Sequence, residues 1–157
     1  MKKILMMAVA LVMSVAANAQ NPDKGLSFAG ELGVGSELEL GVRGQYNFNK
    51  YFAVDLPVLK YAYDWRNTTA NKEITIQVGA RGFSPTFGPD MKAFAAIDMG
   101  YGVAFEDGGH WNAFAMDFTV GMYVWKGLYA GYGFGGMFHN GHIPHDHVFR
   151  IGYNFEF

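Results

Sequence analysis

The side chains in this chain that can do chemistry fall into two groups. The first is imidazole: His110 stands alone, while His139, His142, His145 and His147 crowd into nine residues beside Asp146. Neutral imidazoles with a carboxylate nearby are competent ligands for zinc, copper or nickel. Their spacing matches no rigid metal motif, so a loop would have to order itself around the ion. The same cluster would gain charge below about pH 6.5, which makes a pH-responsive loop the other reading. The second group is Glu31, Glu39, Arg43, Asp55, Arg81, Asp98, Asp117, Arg150 and Glu156, each a charge set between apolar neighbours. A carboxylate pair such as Asp98 and Asp117 invites acid–base chemistry if one member keeps its proton. Nucleophiles are scarce. There is no cysteine, and past residue 20 serine occurs only at 27, 36 and 84, none beside a histidine in sequence.

The elements that must position these groups are strands. Hydrophobic residues make up 50% of the chain and aromatics 17%, yet past residue 20 no apolar run is long enough for a helical span. Apolar and polar residues alternate instead, so each segment has one greasy and one polar face. This alternation predicts eight strands, at about 26–34, 38–48, 51–65, 73–83, 92–105, 111–124, 128–138 and 147–157. The third changes parity midway. Phe52, Val54 and Leu56 share one face, whereas Leu59, Tyr61, Tyr63 and Trp65 belong to the other parity. One extra residue near Pro57-Val58, a β-bulge, restores a single apolar face, and proline is tolerated there. In this register all nine charges above point to the polar side. Arg43 falls about opposite Asp55, Arg150 about opposite Gly135, and Asp98 approaches Asp117.

The two chain ends add their own signals. Phe149, Ile151, Tyr153, Phe155 and Phe157 alternate with Arg150, Gly152, Asn154 and Glu156 up to the last residue. This pattern resembles the closing strand of bacterial outer-membrane β-barrels, whose greasy face meets lipid. At the other end Lys2 and Lys3, the apolar run Ile4 to Val15 and Ala17-Asn18-Ala19 read as a secretory signal peptide cleaved near Ala19-Gln20. Residues 20–157 then form one barrel domain. Losing Lys2 and Lys3 drives the formal net charge of −2 two units further negative, which argues against nucleic acid as a partner.

Across the whole mature chain the pattern is similar to small eight-stranded barrels of the OmpX and OmpA transmembrane-domain type. The resemblance implies an all-β, antiparallel, up-and-down transmembrane barrel in the outer membrane of a Gram-negative cell. It also implies outer-membrane lipids and lipopolysaccharide as surroundings, and the β-barrel assembly machinery and periplasmic chaperones as partners. The terminal aromatic strand would be the assembly signal. An even strand number puts both termini in the periplasm and the loops near 35–37, 66–72, 106–110 and 139–146 outside. Aromatic belts are then expected at Tyr46, Phe48, Tyr51, Phe52, Trp125, Phe155 and Phe157 on one side. The other belt comprises Tyr63, Trp65, Tyr101, Phe105, Trp111, Phe138 and Phe149.

Eight strands enclose only enough room for side chains, so the nine charges are expected to fill the lumen as an ionic network and leave no open pore. The expected role is structural, or one of surface interaction through the outer loops, with no cofactor. Some barrels of this size modify lipid A. The deacylases carry a His-x-Ser-Asn run near the penultimate strand, where this chain has His139-Asn140-Gly141-His142. The nucleophilic serine is absent, so that chemistry is not carried over.

Overall fold

The alternation resolves into eight antiparallel strands: β1 (Gly25–Gly35), β2 (Leu38–Asn49), β3 (Phe52–Tyr63), β4 (Lys72–Phe83), β5 (Lys92–Glu106), β6 (Gly109–Trp125), β7 (Leu128–Phe138) and β8 (Asp146–Glu156). Each pairs with its neighbours in sequence, and β8 returns to β1 to close the ring. The structure is a computed structural model, and it describes residues 25–64, 72–106, 108–138 and 146–156. Residues 1–19, where a signal peptide is expected, Trp65, His139, His142, His145 and Phe157 lie outside the described residues, as does the side chain of Glu156.

Closure follows from the sequence physics. Every strand has one apolar face, and a ring gives that face a single exterior while leaving no unpaired sheet edge. Leu32, Leu40, Val42, Ile76, Val78, Met99, Phe118 and Ile151 are all exposed on the outside. An 11-residue strand such as β1, rising about 3.3 Å per residue and tilted by about 40°, climbs about 28 Å. That height is close to the hydrocarbon core of a bilayer.

The strand edges lie within two residues of the sequence reading. The two-residue changes are in β3, which ends at Tyr63, and in β6, which starts at Gly109. The bulge falls at Leu56-Pro57: pairing with β4 jumps from Asp55 to Val58, and both skipped residues face outward. The partner strand accommodates it at Gly44, where an added Cβ would sit 2.4 Å from the Leu56 carbonyl oxygen. At the same end Lys126 and Gly127 both take positive φ, at 33° and 87°. Two such residues in succession match the twist of a tight hairpin between β6 and β7.

Two of the expected belt aromatics are placed differently. Trp111 shares parity with Ala113 and Ala115, so its ring turns inward, packs on them, on Ala104 and on Met137, and donates from Nε1 to Glu106 Oε1 at 2.9 Å. Phe155 pairs with the outward Phe28 but is only 9% exposed, its ring 4.9 Å from that of Tyr153.

Candidate functional site in the barrel interior

Inward positions from seven strands deliver both signs of charge to one narrow space, and β7 adds the Tyr129 hydroxyl. The result is two tiers. Nearer the chain termini, Arg43 on β2 donates from Nη1 to Asp55 Oδ2 at 3.3 Å and from Nη2 to the Tyr129 hydroxyl at 2.5 Å. Tyr129 donates in turn to Glu31 Oε1 at 2.6 Å, and Arg43 also forms an ion pair with Glu31. Arg81 on β4 donates to Asp55 Oδ2 from Nε at 3.2 Å and from Nη2 at 3.0 Å. Its guanidinium lies 4.5 Å from the centre of the Phe94 ring, a contact of the cation–π type. Beneath this tier Phe94 packs edge to face on Tyr123 and Tyr129, which tilt against each other, with Phe83 beside Tyr123. They form an aromatic floor.

The second tier is organised by Arg150 on β8. Its Nε and Nη2 grip Glu39 at 2.8 Å each, Nη1 and Nη2 grip Asp117 at 2.9 and 2.8 Å, and Nη1 reaches Thr119 Oγ1 at 2.6 Å. All five guanidinium donors are used, in the fork geometry that only arginine provides. Room for the side chain comes from Gly133, where an added Cβ would lie 2.0 Å from Arg150 Nη1. Lys60 on β3 completes the tier with an ion pair to Asp117. Charges buried this deeply must be paired, because desolvation of a lone ion costs several kcal/mol.

These positions correct several sequence expectations. Arg43 lies opposite Val58 rather than Asp55, since the bulge displaces the register, although the side chains still meet. Arg150 is opposite Gly131, four residues from the expected Gly135, because β7 and β8 pair with a shorter overlap. Asp98 and Asp117 do stand opposite each other. Asp117, however, is held by Lys60 and Arg150, while Arg81 serves Asp55. A carboxylate gripped by two cations is not free to share a proton, so the arrangement is structural rather than acid–base in kind. Asp98 lies over Gly79, where an added Cβ would be 1.9 Å from Oδ1. That oxygen has no hydrogen-bond partner among the described residues. The backbone of Glu156 pairs with Ser27.

Lys60, Tyr123 and Tyr129 belong to the interior and were missing from the sequence reading. The signal was available: Lys60 alternates with Leu59 and Tyr61 once the bulge is counted, and Tyr129 alternates with Gly131 and Gly133. Polar-headed aromatics resemble belt residues in sequence, and only the ring's interior shows them a partner.

Beyond the Arg150 tier, towards the loop end, a cavity of about 20 Å³ is bounded by Glu37, Glu73, Thr75, Gln77, Lys60 and Met137. This is room for about one water molecule. Glu37 sits in the β1–β2 turn. Burial, together with the nearby Glu73, Asp146 and Glu39, pushes its carboxyl up to about 8, with Arg150 opposing.

The described histidines lie elsewhere. His147 is exposed on the outer surface, its Nδ1 hydrogen-bonded to the Tyr132 hydroxyl and its ring 5.1 Å from Phe134. His110 lies beside Phe105. Among the described residues no three His, Asp or Glu side chains are placed to hold a metal ion. Ser36 does meet His147 in space, which the sequence separation hid. Its hydroxyl accepts from the backbone N–H at 3.1 Å, however, so it forms no nucleophile–imidazole pair.

An apolar exterior around a salt-bridged interior defines a small up-and-down barrel of the outer-membrane kind. No protein-family model matches the sequence, and no curated protein matches it. Solved structures do. The N-terminal β-barrel domain of Pseudomonas aeruginosa OprF aligns with a TM-score of 0.58 at 11% identity, covering 87% of this chain and 100% of that one. Neisserial surface protein A, NspA, aligns with a TM-score of 0.62 at 14% identity, covering 84% and 94%. At these identities the likeness is one of fold.

Proposed function

We propose that this chain is a bacterial outer-membrane protein that spans the bilayer without forming a pore, its role being structural or one of surface interaction at the loop end. The observation that carries this is the interior itself: Arg150 crosses from β8 to β2 and β6, Arg43 and Arg81 converge on Asp55, and the aromatic floor lies below them. Such an interior offers an ion no continuous water path. The apolar exterior requires hydrocarbon around it, since a patch of that extent would not stay exposed to water.

In this reading residues 1–19 are the export signal, cleaved near Ala19-Gln20. Residues 20–157 reach the outer membrane through periplasmic chaperones and the assembly machinery, with Phe149, Ile151, Tyr153, Phe155 and Phe157 as the assembly signal. Lipopolysaccharide surrounds the loop end. There β5 and β6 pair as far as Glu106 and Gly109. The test is reconstitution into planar bilayers and into liposomes. The expected result is complete insertion with no steady conductance and no solute leakage. A large, stable conductance would refute the closed lumen, and failure to insert would refute the membrane assignment.

A further inference from the structure

Charge is balanced unevenly along the lumen. Around the small cavity at the loop end stand four carboxylates, Glu37, Glu39, Glu73 and Asp117, against two cations, Lys60 and Arg150. Arg150 and Lys60 are committed to Glu39 and Asp117. The remaining two carboxyl groups are those of Glu37 and Glu73, which make no ion pair among the described residues and carry negative charge only once deprotonated. Two neutral polar side chains line the same space. Thr75 Oγ1 and Gln77 Oε1 are buried, their residues 9% and 3% exposed, and neither has a hydrogen-bond partner among the described residues. A buried acceptor is stabilised by a donor, and a carboxylate by positive charge, so the lining suits a group that offers both.

We propose that the cavity is a binding site for the primary ammonium head of a small alkyl amine. Size, donors and lining all agree. An ammonium head is close in volume to a water molecule, which is what the cavity admits. Its three N–H groups match Gln77 Oε1, Thr75 Oγ1 and a carboxylate of Glu37 or Glu73. The apolar walls at Ala62, Ala115 and Met137 suit a methylene stem leading outward. A second ammonium on that stem would meet the rim, where Asp146, Asp64 and Glu106 lie within electrostatic reach of Glu73. A chelated metal fits less well, because the described carboxylates are not gathered as a coordination set.

Binding should depend on pH in a defined direction. Glu37 faces Glu39, Glu73, Asp146 and Arg150, and it holds its proton up to about 8. Lys60 and Asp117 lie deeper and stay paired. The amine needs the carboxylate form, so affinity should rise from about pH 6 to about pH 9 as long as the amine itself remains charged.

The experiment is calorimetric titration of the full barrel in detergent with diaminobutane. A parallel series of spectra follows the labelled methyl group of Met137. We expect saturable one-to-one binding, a shift of the Met137 signal, and affinity roughly tenfold weaker after Glu73→Gln or Gln77→Leu. Glu37→Gln, in the turn between β1 and β2, should weaken the pH dependence. The bis-trimethylammonium analogue, which has charge but no N–H, should bind at least about tenfold more weakly. Absence of saturable binding would overturn the proposal. So would equal binding of the quaternary analogue or of magnesium, or binding unchanged in Glu37→Gln and Gln77→Leu.

Discussion

Replacing Arg150 with methionine tests the interior most directly, because one side chain makes five hydrogen bonds to three residues. Five charge-assisted bonds at about 1.5–3 kcal/mol each would give a gross loss of roughly 7–15 kcal/mol. The net effect is far smaller, since the variant no longer desolvates a guanidinium. Asp117 keeps Lys60, and Thr119 loses one neutral acceptor role. What remains is Glu39, only 3% exposed and stripped of its cation. An uncompensated buried charge of this kind costs about 3–5 kcal/mol. Lys60→Met should cost less, about 1.5–3 kcal/mol, because Asp117 retains both of its Arg150 bonds. The double variant Arg150→Met with Glu39→Gln should recover at least about 1 kcal/mol, a coupling typical of residues in one network. Equilibrium unfolding in urea from lipid vesicles, followed by tryptophan fluorescence, measures all three. If Arg150→Met lies within about 1 kcal/mol of the parent protein, the lumen is wet, its charges are solvated, and the reasoning fails.

Three further outcomes follow from particular contacts. Gly152→Ala would place a methyl 2.3 Å from Tyr129 Cζ, dislodging the hydroxyl that links Arg43 to Glu31; unfolding should show a loss of about 1–3 kcal/mol. Ile76→Arg, at an exposed site midway along β4, should cost about 2–4 kcal/mol in the same assay, and Ile76→Leu close to nothing. Because the folded-state value for Glu37 is raised from 4.5 to about 8, the folded form holds a proton that the unfolded form has released. Stability should therefore fall as pH rises between those values. Glu37→Gln should flatten that slope, and an unchanged slope would show that Glu37 is solvated.

Strand number, facing and the bulge were legible in the sequence, because a period of two is a local property that survives without tertiary knowledge. Leu59, Tyr61 and Tyr63 announced the parity change near Pro57 by themselves. Register was not legible beyond the nearest turn. Arg150 was set against Gly135 because hairpin counting assumes a known loop length, and the loop before β8 is long. The network was therefore visible as a set of inward charges but not as pairs. Trp111 was misplaced for a different reason: a tryptophan near a strand end fits a membrane belt on composition, and only its parity with Ala113 shows that it faces in. Lys60 was passed over although its parity is plain.

Arg150 has a temporal meaning as well as a spatial one. It belongs to the last of the eight barrel strands to be synthesised, while Glu39 and Asp117 lie on the second and sixth. Until β8 docks on β1, the three side chains have no common enclosed space, and each charge can stay hydrated. Sealing the seam and satisfying the ions are then one event. A partly built sheet gains little from the network, and the closed ring gains all of it, so half-assembled intermediates are not held in a trap of premature ion pairs. The last strand carries the key as well as the door.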